Sequence, residues 1–146
     1  MQIRELRLEE LPQVLSLIDE FDRTPASRPN PDALARTFAH LEEAGGCVLG
    51  AVLQGRIIGT CTLNICPNLS WSCRPYGIIE NVIVSAGHRK QGIGKKLLKK
   101  AEQLAKAKDC YKLALMTGSR QIETLSFYQS CGFVGNKTGF QMRFNS

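Results

Sequence analysis

The stretch Val82-Ile83-Val84-Ser85-Ala86-Gly87-His88-Arg89-Lys90-Gln91-Gly92-Ile93-Gly94-Lys95 decides the fold. It continues a β-rich run, Ile78-Ile79-Glu80-Asn81-Val82-Ile83-Val84, which reads as a strand. It ends where a helical pattern begins, from Gly92 to about Lys106, with Ile93, Leu97, Leu98, Ala101, Leu104 and Ala105 on one face. A strand that feeds a basic, glycine-containing turn into a helix is an architecture for phosphate. The first N–H groups of a helix lack intrahelical partners, and its macrodipole puts positive potential there. Gly92 and Gly94 carry no side chain to keep phosphates off the backbone, and Arg89, Lys90 and Lys95 add charge at the same point.

The net charge of +6 on 146 residues is local. From His88 to Lys112 stand nine basic residues against Glu102 and Asp109, which leaves the rest of the chain nearly neutral. That points to one anionic site rather than a diffusely basic protein. Two other phosphate loops are excluded by spacing. There is no GxxxxGK[ST], and no full GxGxxG followed by a second strand and an acidic residue.

Outward from this segment, the chain reads as a single domain over 1–146 with no repeat, low-complexity stretch or linker. Residues 2–7 suit a short strand, and Leu8, Leu11, Val14, Leu15 and Ile18 recur at helical spacing. Asn30-Pro31 opens a second helix that Gly45 closes. Cys47–Leu53 and Arg56–Ile65 read as a hairpin around Gln54-Gly55, and 67–76 reads as a loop. Tyr111–Met116 reads as a strand, Arg120–Ser130 as a helix ended by Gly132, and Phe133-Val134 and Phe140–Phe144 as closing strands. The fold class is α/β (α+β), with a mixed sheet of six to seven strands flanked by about four helices.

No apolar run is long enough to span a membrane, and no secretory signal opens the chain. Six cysteines without CxxC or zinc spacing read as reduced thiols in a cytoplasmic protein, with no metal site. Cys66 and Cys73, in the loop, are the most open to oxidation.

Arg89-x-x-Gly92-x-Gly94 directly after a β-branched strand resembles the acyl-CoA pyrophosphate loop of the GNAT N-acetyltransferase superfamily. Ile79–Val84 looks like that family's fourth strand, with an acidic residue near its start. Ser126-Phe127-Tyr128-Gln129-Ser130-Cys131-Gly132-Phe133 is similar to its late helix-to-strand motif. The resemblance implies acetyl-CoA as co-substrate, with backbone N–H groups of Arg89, Lys90, Gln91, Gly92, Ile93, Gly94 and Lys95 on its pyrophosphate. It implies the pantetheine arm along Val82, Ile83 and Val84, where a backbone N–H polarises the thioester carbonyl.

The chemistry is acyl transfer to an amine, and a protonated amine cannot attack. Glu80, an acidic residue in an apolar strand, is the candidate base; burial there would favour proton uptake. Tyr128 is the candidate acid for the leaving thiolate. Two positions depart from the family pattern: Gln121 stands where asparagine is frequent, and Ala86 where proline is.

The resemblance implies a small-molecule or peptide amine as the acceptor. The resemblance implies a groove walled by Asp19–Asn30 and by Pro67–Tyr76. The first holds Asp19, Glu20 and Asp22 but also Arg23 and Arg28; the second holds Trp71, Arg74 and Tyr76. These cues leave polyamine, amino acid, amino-sugar phosphate and peptide open. Two other readings stand beside the enzyme: a non-catalytic CoA-binding sensor, and a basic nucleic-acid module, which lacks interleaved aromatics or a recognition motif. A nucleic acid or a membrane is not the expected partner. A homodimer joined through Phe140–Phe144 remains an alternative to a monomer.

Overall fold

The computed structural model describes residues 1–21 and 27–144. The chain divides into two compact units, Met1–Leu115 and Met116–Ser146.

The first unit carries the sheet. In chain order it holds β1 (Gln2–Glu5), a 3-10 turn (Leu8–Glu10), α1 (Leu11–Asp19), α2 (Pro31–Glu43), β2 (Cys47–Leu53) and β3 (Arg56–Cys66). Then come a single turn α3 (Ser70–Cys73), β4 (Tyr76–Val84), a 3-10 turn (Ala86–His88), α4 (Ile93–Ala107) and β5 (Leu113–Leu115). The strands lie in the order β1-β2-β3-β4-β5, antiparallel except for the parallel pair β4 and β5.

Local chemistry sets the boundaries. Gln54 and Gly55 both take positive φ, 49° and 77°, as a two-residue hairpin turn requires. Asn30 Oδ1 accepts the Ala33 N–H at 2.8 Å, with Pro31 at the first helical position of α2. The end of α2 is a Schellman motif. Gly45 sits at φ +96°, and the Gly46 N–H donates to the Leu41 carbonyl at 2.9 Å. The end of α4 repeats it with Asp109 at φ +61° and the Cys110 N–H on the Ala105 carbonyl.

The core lies between helices and sheet. Leu49, Leu63, Ile79, Leu97 and Leu98 are fully buried, each contributing roughly 1.5–3 kcal/mol. Gly59 lets α4 approach β3 closely: a Cβ there would meet Ile93 Cγ2 at 3.0 Å and Leu97 Cδ1 at 3.2 Å. This contact seats the first turns of α4, and so the loop before it, on the sheet.

The α3 turn was expected only as loop. Trp71, Ser72 and Cys73 form a left-handed turn with φ of 54°, 58° and 60°, a conformation costing about 1–2 kcal/mol per residue. Trp71, 66% exposed, stacks on Tyr111 with ring centroids 5.4 Å apart.

The second unit holds α5 (Ile122–Ser130). Gly132 at φ +97° closes it, with the Gly132 N–H on Gln129 O and the Phe133 N–H on Tyr128 O, at 3.0 and 3.1 Å. The Tyr128 and Phe133 rings meet edge-on at 6.3 Å, the apolar contact that accompanies this cap.

Here the structure departs from the expected strand count. Phe133-Val134 and Phe140–Phe144 form no strand, so the sheet has five strands among the described residues rather than six or seven. Their alternation gives strand propensity, but a strand exists only where a neighbour pairs with it. β1 is also shorter than residues 2–7, and Leu8 lies in a 3-10 turn ahead of α1.

All six cysteines are free thiols. Burial pushes the thiols of Cys47 and Cys61 up to about 12. Cys66 is the last residue of β3 rather than a loop residue, and Cys73 is exposed in α3. No described helix is long and apolar enough to cross a membrane.

Candidate active site

β4 is paired on both sides only at its start. Gly77, Ile78 and Ile79 pair with Leu113, Ala114 and Leu115 of β5, and the ladder then stops. Among the described residues, no strand lies beside one edge of β4 from Glu80 to Val84. The same stretch carries a bulge. Its register against β3 passes from Thr62↔Glu80 to Thr60↔Ile83, so Asn81 and Val82 together oppose Cys61. Asn81 takes φ +55°, a left-handed conformation that asparagine tolerates better than β-branched residues do.

The bulge decides which backbone groups face the free edge. The Gly77 N–H donates to Lys112 O and so points toward β5, whereas the Ser85 N–H donates to Ile58 O and points toward β3. In a regular strand both odd-numbered residues would face the same side. The extra residue at Asn81 reverses the alternation, so Val82 and Val84 turn their N–H groups to the free edge. The Val84 carbonyl on that edge accepts Arg89 Nε at 3.2 Å.

The loop that follows is built for an anion. Lys90 and Gly92 take positive φ, 61° and 79°, and Gly92 is the N-cap of α4 with no side-chain cap bond. A Cβ on Gly92 would meet nothing within 4 Å, so the backbone there is open to a ligand. The Lys96 N–H on Gly92 O, at 3.1 Å, closes the first turn, and the earlier helical N–H groups have no intrahelical acceptor. Arg89, Lys90, Lys95 and Lys96 are all exposed, and no acidic residue lies in that first turn. Four cations at the positive end of a helix repel its dipole, a conflict that a bound anion relieves.

Lys99 and Lys106, further along α4, are not part of this arrangement. Lys99 and Lys106 pair with Glu102 at 3.2 and 2.7 Å, holding its carboxyl below the usual range. They form a solvated helix face.

Glu80 stands on the open part of β4, immediately before the bulge. Burial was expected; the side chain is exposed, because the alternation of β4 turns Gly77 and Ile79 inward and Glu80 outward. Tyr128 lies half-buried on α5 in the second unit, with its ring edge-on to Phe127 at 5.2 Å. Gln121 is the N-cap of α5 and makes no side-chain cap bond.

The expected acceptor walls are largely occupied by their own contacts. Arg28 pairs with Asp19 at 2.9 Å, so these opposed charges satisfy one another. Asp22 and Arg23 lie outside the described residues. Arg74 Nε sits 3.3 Å from Asp109 Oδ1, and the guanidinium also donates to the carbonyls of Asp109 and Cys110. It ties the entry of β4 to the turn after α4. Tyr76 meets Tyr111 edge-on, and Lys112 Nζ lies 5.2 Å over the Tyr76 ring. This aromatic cluster sits at the start of β4, whereas the basic loop leaves its end. Asn81 and Phe21 were not singled out from sequence. An asparagine interrupting a β-branched run was the available signal for the first.

Among the described residues no group of His, Cys, Asp or Glu is placed to hold a metal ion. The bulged strand runs into a basic loop that opens α4, an arrangement chemically suited to a phosphate-bearing ligand. The profile of the Acetyltransferase (GNAT) family matches residues 7–133. A putative acetyltransferase from Agrobacterium tumefaciens str. C58 superposes with a TM-score of 0.89 at 35% identity, covering 99% of this chain and 100% of that one. A Trypanosoma brucei acetyltransferase superposes with a TM-score of 0.85 at 28% identity, covering 98% and 99%. A Trypanosoma brucei brucei protein named glucosamine 6-phosphate N-acetyltransferase is 28% identical over 98% of this chain and 94% of its own length. The chain belongs to the GNAT acetyltransferase family: it is an N-acetyltransferase whose acetyl donor is acetyl-CoA.

Proposed function

We propose that the protein moves the acetyl group of acetyl-CoA to the primary amine of an amino-sugar phosphate by direct attack, with Glu80 as general base and Tyr128 as general acid. The observation that carries this reading is the free edge of β4 from Glu80 to Val84, opened by the bulge at Asn81 and leading into the basic loop. The N–H groups from Arg89 to Lys95 hold the pyrophosphate. The pantetheine amides pair with the edge at Val82–Val84 as an added strand does. The Val82 N–H donates to the thioester oxygen, more strongly as that oxygen becomes an oxyanion.

The acceptor amine must lose a proton to attack. Glu80 takes it, directly or through a water, and the exposure of the carboxylate leaves room for that water. The nitrogen bonds to the carbonyl carbon, the carbon–sulfur bond breaks as the Tyr128 hydroxyl gives its proton to the departing thiolate, and the second proton of the nitrogen restores the tyrosine hydroxyl through solvent. Likeness over nearly the full chain to a protein named for glucosamine 6-phosphate supports the acceptor class. Six free cysteines suit a reducing cytoplasm, and one family match across both units supports one N-acetyltransferase domain over 1–146.

Thiol release from acetyl-CoA over a panel of amines tests the reading. Glucosamine 6-phosphate is expected to turn over faster than polyamine, aminoglycoside, amino acid or peptide amines. Glu80→Gln is expected to lower kcat about 100-fold, and Tyr128→Phe about tenfold, at nearly unchanged KM for acetyl-CoA. Faster turnover of an unphosphorylated amine overturns the acceptor class. Unchanged kcat in either variant overturns the role given to that residue.

A further inference from the structure

Val48, Thr62 and Glu80 stand directly opposite one another on β2, β3 and β4, so all three point to one face of the sheet. Val48 is buried there among Leu11, Val14 and Leu17 of α1 and Phe38 of α2. Thr62 is half-buried and Glu80 exposed, so the helices stop short of β3 and β4 at this level. Past the bulge, Ile83 joins the same helical cluster and is buried again. Asn64, two residues along β3, shares the uncovered face, with Ile78 opposite it and Tyr76 beyond on β4. The other face is filled: a Cβ on Gly77 would meet Leu63 Cδ1 at 3.1 Å and Ala105 Cβ of α4 at 3.8 Å. The polar groups on the uncovered face have bonding capacity to spare. The Thr62 hydroxyl makes no hydrogen bond among the described residues. Asn64 Nδ2 donates to Ile78 O at 3.3 Å, which leaves its second N–H and its Oδ1. Lys112 marks the far end. Its Nζ lies 5.2 Å over the Tyr76 ring, and no carboxylate pairs with it among the described residues. Tyr76 and Glu80 are four residues apart on β4, about 13 Å at the rise of a strand.

We infer that this face is the floor of the acceptor site, with Thr62 and Lys112 as its specificity-determining residues. The inference rests on the amino-sugar phosphate reading above and assigns the groups of that acceptor to side chains. The amine meets Glu80. Ring hydroxyls meet Thr62 Oγ1 and the Asn64 amide, and the phosphate meets the Lys112 ammonium, a compact point charge. Ile78 and Tyr76 give apolar surface to the C–H face of the ring. The order of groups along the face is carboxylate, hydroxyl and amide, then cation. A polyamine would carry its second cation toward Lys112, where like charges repel.

Steady-state kinetics of the full chain with glucosamine 6-phosphate and with glucosamine tests the assignment. Lys112→Met is expected to cut the preference for the phosphorylated sugar in kcat/KM about tenfold or more, and Lys112→Arg to keep most of it. Thr62→Val keeps the branched shape that suits a strand and removes only the hydroxyl. It is expected to raise KM for glucosamine 6-phosphate about threefold or more, with KM for acetyl-CoA and Tm unchanged. A preference that survives Lys112→Met overturns the inference, as does an unchanged acceptor KM in Thr62→Val. A wild type that prefers an unphosphorylated amine overturns the acceptor class, and the role of Lys112 with it. Thr62→Val assayed on that preferred amine then decides the location of the site: a raised KM upholds the floor on β3 and β4, and an unchanged KM overturns it.

Discussion

The guanidinium carbon of Arg89 lies 4.4 Å from the ring centroid of Phe21, while Nε of the same side chain donates to the Val84 carbonyl. Arg89 is thus held from two sides, by the free edge of β4 and by the residue that follows α1 and Glu20. A cation placed before a ligand arrives loses less entropy on binding it.

Phe21→Ala should therefore weaken acetyl-CoA binding, and Phe21→Tyr should preserve it. An exposed cation–π contact is worth ~0.5–1 kcal/mol, or about two- to fivefold in affinity. The effect is expected in KM for acetyl-CoA with kcat unchanged. A fall in kcat with KM unchanged would show that Phe21 does not act through the cofactor loop.

Gly59→Val should destabilise the first unit. The added atoms fall where Ile93 and Leu97 already stand, so α4 must lift from β3. Overpacking of this kind costs about 1–3 kcal/mol. Thermal unfolding should show a Tm several degrees lower, and acetyl-CoA should bind more weakly because the start of α4 moves with its loop. A Tm equal to wild type would mean that the helix is not seated on Gly59.

Glu10 should make the fold sensitive to acid. Arg4 donates to both carboxylate oxygens, at 2.7 and 3.0 Å, and the Arg7 N–H donates at 2.8 Å. The Arg4 bonds, followed by the Arg7 bond, lower the carboxyl to about 2 from an ordinary 4.5. A depressed pKa in the folded state contributes stability that is complete above the unfolded value and is lost as pH falls through the folded one. The window is therefore pH 4.5 down to about 2. Glu10→Gln should lower Tm by a few degrees at neutral pH and flatten the dependence within that window. An unchanged slope would remove Glu10 from acid unfolding.

Much of the first unit was legible in the sequence, because its signals are local. Gln54-Gly55, Asn30-Pro31 and Gly45 each state the backbone conformation they adopt. The 3.6-residue spacing of Ile93, Leu97, Leu98, Ala101 and Ala105 fixed the buried face of α4; Leu104, expected beside them, is only half-buried. The basic loop was legible for the same reason, since helix termini attract anions wherever they occur. Features that depend on tertiary pairing were not legible. The bulge at Asn81 follows from the register of β4 on β3, and which face of β4 Glu80 takes, outward where its apolar neighbours suggested burial, follows from how the sheet packs. Arg74, named as part of the acceptor wall, is paired with Asp109, which is distant in sequence. Phe140–Phe144 has the alternation of a strand, but no alternation states whether a partner is present.

The central claim is that the free edge of β4 and the loop from Arg89 to Lys95 form the acetyl-CoA site. Calorimetric titration of acetyl-CoA into the wild type and into Gly92→Trp tests it most directly, because a Cβ there meets no atom within 4 Å and the side chain leaves the backbone into the space before the loop; φ of +79° strains the variant, so circular dichroism checks its fold alongside. Micromolar binding that weakens as salt is raised, and is lost in Gly92→Trp with α4 still folded, is the predicted result. Equal binding by both proteins would contradict it.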